Sequence, residues 1–134
     1  MKIMLVDDED RFLAATEKVL RRLDIEVLTA RSGNEALDLL SRHEVHVVIL
    51  DVKMPGLDGV TTLREIKRLH PLVEVIMLTG HATIESAIEG LKSGAFDYLM
   101  KPTDIEELLE KAKDAYEKRK IIEERIRQAQ AHLT

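Results

Sequence analysis

The chain has 134 residues, of which 45% are apolar and only 3% aromatic, and it carries a formal charge of -5. That length suits a single domain with a core of Leu, Ile, Val and Ala, and the acidic balance argues against the basic stripe of a nucleic-acid-binding surface, though not against a local basic patch. With no cysteine there is no disulfide framework, thiolate zinc site or redox thiol, which fits a reducing cytoplasm, and the apolar N-terminal run is too short for a signal peptide or a membrane span.

Short β-branched apolar runs alternate with longer stretches at helical spacing, the pattern of an α/β architecture. The first run, residues 3–6, is followed by Asp7 and Asp8 and then by Phe12, Thr16, Val19, Leu20 and Leu23, whose spacing predicts a first helix with one buried stripe. A second run covers 25–29, after which Ser32 and Glu35 have the spacing of a capping box opening a second helix. The third run, Val-His-Val-Val-Ile-Leu at 45–50, is nearly continuous in apolar residues, as expected of a central parallel strand covered on both faces. His46 in that run reads as a strand-end residue. The fourth run, 75–78, precedes Ile84, Ala87, Ile88 and Leu91, which predict a fourth helix burying a stripe on the sheet. Gly90 inside that helix costs about 1 kcal/mol relative to alanine and would keep it loose, and Gly94 suits a left-handed residue beyond its end. The fifth run, 96–99, leads to Thr103 and Glu106, a second capping-box pattern, opening a fifth helix.

Strands and helices in strict alternation, joined by right-handed crossovers, predict helices on both faces of one parallel sheet. Helix-forming residues with balanced charges then continue to Thr134. Spacings of three and four link Ile105, Leu108, Ala112, Ala115, Arg119, Ile122, Ile126, Ala129 and Leu133. This stretch reads either as a domain helix with a frayed polar tail or as a short dimerising coil.

In open parallel sheets ligands bind beyond the carboxyl ends of the strands, and here the residues at those positions form one chemical set. Asp7 and Asp8 follow the first run, Asp51 the third, Thr79 the fourth and Lys101 the fifth. Three clustered carboxylates repel one another unless some are protonated or a cation sits among them. Oxygen ligands without histidine or thiolate favour magnesium, with manganese as the alternative, over zinc. A carboxylate can then be the nucleophile that forms an aspartyl phosphate, provided cationic groups neutralise the transferring oxygens. In this reading Lys101 supplies the cation and Thr79 a hydrogen bond. Each residue also has a plainer role: the acids at a helix N-terminus, Asp51 and Thr79 as turn residues before Met54-Pro55-Gly56 and Gly80, Lys101 as an exposed charge. Their joint placement at strand ends favours a site.

Four segments, Val6-Asp7-Asp8-Glu9, Leu50-Asp51-Val52-Lys53-Met54-Pro55-Gly56-Leu57-Asp58-Gly59, Leu78-Thr79-Gly80-His81 and Tyr98-Leu99-Met100-Lys101-Pro102, resemble the motifs of the receiver-domain family of two-component response regulators. Lys-Ser-Gly-Ala-Phe-Asp-Tyr-Leu at 92–99 is further similar to receivers of the nitrogen-regulatory transcription activator type. The resemblance implies a doubly wound, flavodoxin-like α/β fold whose five-stranded parallel sheet has the order 2-1-3-4-5. It implies a receiver domain over residues 1–118 and a C-terminal helical extension or linker over 119–134.

The same resemblance implies that Asp51 accepts a phosphoryl group from a phosphohistidine on a sensor histidine kinase. Asp8, Asp51 and the carbonyl of Lys53 would bind magnesium, with Asp7 acting mainly through water. Lys101 would contact the phosphoryl group, Thr79 would rotate to hydrogen-bond it, and Tyr98 would swing inward as the fourth helix shifts. The Lys101–Pro102 peptide is expected to be cis. Lys53 and His81 occupy positions that in the family tune dephosphorylation, and both are bulky here. The expected protein is a cytoplasmic phosphoprotein that catalyses its own phosphorylation and dephosphorylation and is not a turnover enzyme. Its implied partners are the kinase, a second copy met through the fourth helix, fifth strand and fifth helix or through the C-terminal helix, and an effector domain beyond residue 134, with no direct nucleic-acid or membrane contact. A haloacid-dehalogenase-like phosphatase would place its nucleophile after the first strand, and a nucleotide- or flavin-binding domain would need a phosphate-cradling loop there. Such a phosphatase sets a second aspartate two residues after its nucleophile, whereas here Asp7 and Asp8 are adjacent and the isolated Asp51 follows the third run, and Asp7-Asp8-Glu9-Asp10 would repel a phosphate that arrived without metal.

Overall fold

Each β-branched run forms a strand. In the computed structural model, which describes residues 1–52, 58–80 and 83–133, these are β1 (Lys2–Val6), β2 (Glu26–Ala30), β3 (Val47–Leu50), β4 (Glu74–Thr79) and β5 (Asp97–Met100). Between and after them run α1 (Asp10–Arg22), α2 (Gly33–Arg42), α3 (Gly59–Leu69), α4 (Ile84–Lys92) and α5 (Ile105–His132). All strand pairs are parallel, in the order β2-β1-β3-β4-β5. β3 and β4 are buried along their whole lengths, so neither carries the polar alternation of a half-exposed strand.

Successive side chains of a strand point to opposite faces, and the two faces build two apolar layers. Met4, Val6, Val48 and Leu50 pack with Leu40 of α2 and Leu63 of α3 on one side. Ile3, Leu5, Ile49 and Ile76 pack with Leu20 of α1 and Leu108 of α5 on the other. Each fully buried aliphatic side chain of this kind contributes about 1.5–3 kcal/mol.

Several helix details differ from what periodicity predicts. In α1 the buried residues are Leu13, Thr16 and Leu20, while Leu23 is exposed because the helix stops at Arg22. At α2 the Ser32 hydroxyl accepts from the Glu35 backbone N–H at 3.1 Å, but the Glu35 carboxylate accepts from Arg31 N, so the box is only half formed. The box expected from Thr103 and Glu106 is absent. Asp104 is the N-cap of α5, without a side-chain cap bond, and the Thr103 hydroxyl donates to Glu107 Oε2 at 3.2 Å instead. A complete capping box does occur at α4, between Thr83 and Ser86.

α4 departs furthest from expectation. Ile84, Ile88 and Leu91, read as a stripe buried on the sheet, are 76%, 48% and 47% exposed, and Gly90 is the buried residue of the helix. A Cβ on Gly90 would stand 2.3 Å from Met77 Sδ of β4. The helix is therefore seated through the one residue that has no side chain, and this close approach turns the apolar row outward. Gly94 follows with φ +107, the left-handed conformation expected of it.

α5 buries Leu108, Ala112, Ala115 and Arg119. Arg119, which interrupts the apolar seam in sequence, is the last buried residue of the helix: Nη1 donates to the carbonyl of Val45, just ahead of β3, at 2.6 Å and Nε to Glu123 Oε1 at 2.5 Å. Beyond it Ile126 and Leu133 are exposed. Among the described residues no helix is long and apolar enough to cross a membrane.

Candidate functional site

The site forms where four strands end together. The register places Val6 beside Leu50, Leu50 beside Met77 and Thr79 beside Met100, so the residues that follow emerge on one rim of the sheet. Backbone pairing continues one step past the strands: Asp7 N donates to Ala30 O at 3.0 Å, Asp51 N to Val6 O at 2.9 Å and Lys101 N to Thr79 O at 2.9 Å. The backbones beneath the polar side chains are thus fixed by the sheet.

Asp7, Asp51 and Thr79 are buried and Asp8 is exposed. One carboxylate oxygen from each of Asp7, Asp8 and Asp51 lies within 4.8 Å of the others. Lys101 enters this group from the end of β5, after which its peptide bond to Pro102 is cis. Its Nζ is 2.6 Å from Asp7 Oδ2, 3.3 Å from Glu9 Oε1 and 4.0 Å from Asp51 Oδ2. Burial alone would lower the pKa of this ammonium. The hydrogen bond and charge of Asp7, followed by the Asp51 charge and the Glu9 hydrogen bond, outweigh burial and hold it above the ordinary lysine range. Asp7 Oδ1 in turn accepts from Glu9 N at 2.9 Å at the entrance to α1, whose first turn carries Asp10.

Three carboxylates thus cluster together, with one ammonium bridged to Asp7 and approaching Asp51, and exposed Glu9 adds a fourth negative group beside that ammonium. The surplus of negative charge and the all-oxygen donor set fit a small, hard divalent cation, magnesium or manganese, for which Asp7, Asp8 and Asp51 could supply ligands. Lys53, whose carbonyl the resemblance adds to this set, and His81 lie outside the described residues.

The packing beside Asp51 depends on Gly59 at the start of α3. Gly59 N donates to Val52 O at 2.9 Å, and a Cβ there would stand 2.4 Å from Val52 Cα and 2.7 Å from the Asp51 carbonyl oxygen. The Asp58 side chain caps the helix by accepting from Thr61 N at 2.8 Å. The Asp58-Gly59 pair is visible in sequence, but the close approach is not.

Tyr98, half-buried on β5, points toward α4, where its hydroxyl lies 3.1 Å from Ser86 Oγ. Ser86 is also the third helical residue of the α4 capping box. The structure therefore gathers Asp7, Asp8, Asp51 and Lys101 into one cluster, sets Thr79 at the end of the adjacent strand, and ties Tyr98 to α4. Reasoning from sequence passed over Glu9, Phe12 and Ser86. Glu9 was legible only as part of an acidic run, Phe12 only as a member of a helical stripe, and Ser86 replaces the Glu or Gln usually sought in a capping box.

Comparison with known proteins agrees with this architecture. A family model described as response regulator receiver domain matches residues 3–113. The chain is 40% identical over 103 residues to the DNA-binding transcriptional regulator NtrC of Klebsiella pneumoniae, covering 77% of this chain and 22% of that protein. It spans only 22% to 26% of the length of such curated relatives. A response regulator receiver domain protein from Clostridium thermocellum superimposes with a TM-score of 0.85 and 40% identity, over 90% of this chain and 98% of that one. The beryllofluoride-activated NtrC4 receiver domain dimer matches with a TM-score of 0.83 and 32% identity, over 88% of this chain and 98% of that one.

Proposed function

The chain belongs to the response regulator receiver domain family of two-component systems, and on that premise we propose that it takes a phosphoryl group from a phosphohistidine of a sensor histidine kinase onto Asp51. The observation that carries this reading is the convergence of Asp51 with Asp7, Asp8 and the Lys101 ammonium on one rim of the sheet. An Asp51 carboxylate oxygen attacks phosphorus, and the phosphorus–nitrogen bond breaks as the new phosphorus–oxygen bond forms. Magnesium held by Asp8, Asp51 and the Lys53 carbonyl, with Asp7 acting mainly through water and manganese as the alternative ion, would supply neutralisation of the phosphoryl oxygens. Lys101, kept charged by its acidic neighbours, adds a second positive group, and the Thr79 hydroxyl adds a donor. The protein modifies itself and releases the group again, so it is a switch and not a turnover enzyme.

The phosphoryl group brings roughly -1.5 to -2 charges into the rim. Lys101 then shifts its allegiance from Asp7 toward Asp51, Thr79 turns inward, and Tyr98 leaves Ser86 to follow it while α4 moves. The exposed apolar residues Ile84, Ile88 and Leu91 of α4, with Met100 of β5, support an output face over α4, β5 and α5 that receives a second copy. Ile121 and Ile126 on the end of α5 support a dimer through the C-terminal helix as the other arrangement. In this reading residues 1–118 are the receiver, 119–134 are a helical extension leading toward an effector domain, the site of action is cytoplasmic, and Lys53 and His81 set the lifetime of the phosphorylated state.

Incubation of the folded chain with phosphoramidate and magnesium is expected to add one phosphoryl group by intact mass, and Asp51→Asn to take none while keeping the native circular dichroism. Labelling of Asp51→Asn at another residue, or a folded wild type that takes no label, would sink the proposal.

A further inference from the structure

We propose that Phe12 is a positioning residue for phosphoryl transfer, its ring holding the Lys101 ammonium in the site without neutralising it. This rests on the receiver reading above and adds to it a residue on α1. Lys101 Nζ stands 4.4 Å from the Phe12 ring centroid, well within the reach of a cation–π contact. The Lys101 side chain is only 14% exposed, so the contact acts on a largely desolvated charge, where such attraction is strongest.

The other described partners of this ammonium are Asp7, Glu9 and Asp51, all carboxylates. A carboxylate holds an ammonium by opposing its charge, and the tight bridge to Asp7 draws it away from Asp51. The ring attracts the cation through its quadrupole and carries no net charge. As negative charge grows on the oxygens around Asp51, the ammonium must lean toward them, and a neutral platform does not compete for it. Only interactions that are stronger in the transition state than in the ground state accelerate the reaction, and the one the ring leaves free to strengthen is that of the ammonium with the oxygens around Asp51. The ring also covers a cation that would otherwise turn to water or to the exposed carboxylate of Glu9.

Phe12 is placed for this by a difference of one residue. The α1 position buried in the core is Leu13, and Phe12 stands half-buried at the edge of that layer. Its ring lines the groove between α1 and the start of α5, beside Thr16, Ile105 and Leu108. Packing in this groove calls for apolar bulk, which leucine also supplies, and not for a π face.

The test compares the full chain with Phe12→Leu, which keeps apolar bulk and removes the ring, and Phe12→Tyr, which keeps the ring. Two quantities are read: the rate at which phosphoramidate with magnesium labels Asp51, and the NMR position of the Lys101 ε-methylene protons without metal. Phe12→Leu is expected to slow labelling roughly three- to tenfold, the factor carried by a contact of this kind, and to abolish the upfield ring-current shift at Lys101. Phe12→Tyr should restore both. If Phe12→Leu does not fold, Phe12→Met takes its place. A ring-free variant that labels at the wild-type rate, or unshifted Lys101 protons in the wild type, overturns the proposal. A folded wild type that takes no label at Asp51 overturns the receiver reading and this role with it, an outcome distinguished from the others by the wild-type control alone.

Discussion

With its Nζ 2.6 Å from Asp7 and 4.0 Å from Asp51, Lys101 serves at rest as the cation of the acidic cluster. Lys101→Met leaves the buried Asp7 carboxylate facing Asp51 and Asp8 without it, and is expected to lower stability by about 1–3 kcal/mol in metal-free urea titrations. Magnesium should recover more stability in this variant than in the wild type, because the cluster is then more negative; equal recovery would show that the lysine does not balance these acids. His46 gives a pH dependence at the opposite end of β3. Its Nδ1 accepts from Lys2 N at 2.9 Å and its ring lies 5.0 Å from that of Tyr116, and burial, followed by the Arg119 charge, lowers its pKa. With the folded pKa below the unfolded one, the unfolded chain takes up the proton first as pH falls. The stability contributed by neutral His46 is therefore complete above about pH 6.5 and is lost below it, toward the folded pKa. His46→Gln should flatten the decline in unfolding midpoint over that interval, and an unchanged slope would contradict the assignment. At this scale Asp7, Asp8, Asp51, Thr79 and Lys101 were legible because each lies one or two residues past an apolar run. Glu9 and Phe12 were not, because their contacts depend on the rotation of α1 about its axis, which periodicity defines only to within a residue.

The central strands β3 and β4 were legible because burial on both faces writes itself as near-continuous apolar sequence, the edge strands β2 and β5 by shorter apolar runs, and all their ends moved by only one or two residues. The helices were less so. Periodicity reports which residues of α4 are apolar but not which face is seated, and a helix docked through glycine inverts the usual inference. Gly90→Ala tests that docking. In an exposed helix the change would be favourable by about 1 kcal/mol, but here the new methyl meets Met77 Sδ, and overpacking of this kind costs about 1–3 kcal/mol. The expected net effect is a lower urea midpoint, or an α4 displaced from β4 in its NMR contacts. A higher midpoint with unchanged contacts would mean that the Met77 side chain moves aside without cost. At the start of α5 the spacing of Thr103 and Glu106 suggested a box, but the chain reaches Asp104 before turning helical, so the expected hydroxyl is spent on Glu107.

For the molecule as a whole, the alternation of elements predicted a parallel sheet with helices on both faces, whereas the strand order came with the family resemblance, since periodicity contains no neighbour information. The C-terminal part of α5 is where sequence left two readings, and the burial of Arg119 against Val45, just ahead of β3, shows the packed part of the helix reaching that residue. Sedimentation of the full chain against one ending at Glu123, which keeps the Arg119 anchor and its partner, separates the readings. A dimerising coil predicts concentration-dependent association of the full chain only; equal monomer masses at high concentration would remove it. If the cluster on this rim acts to phosphorylate Asp51, no other acid should carry the group. Borohydride reduction of the labelled protein converts an aspartyl phosphate to homoserine, which peptide mass spectrometry locates. Homoserine is expected at position 51; homoserine at Asp7 or Asp8, or its absence from protein that carries the label, would rule out Asp51 as the acceptor.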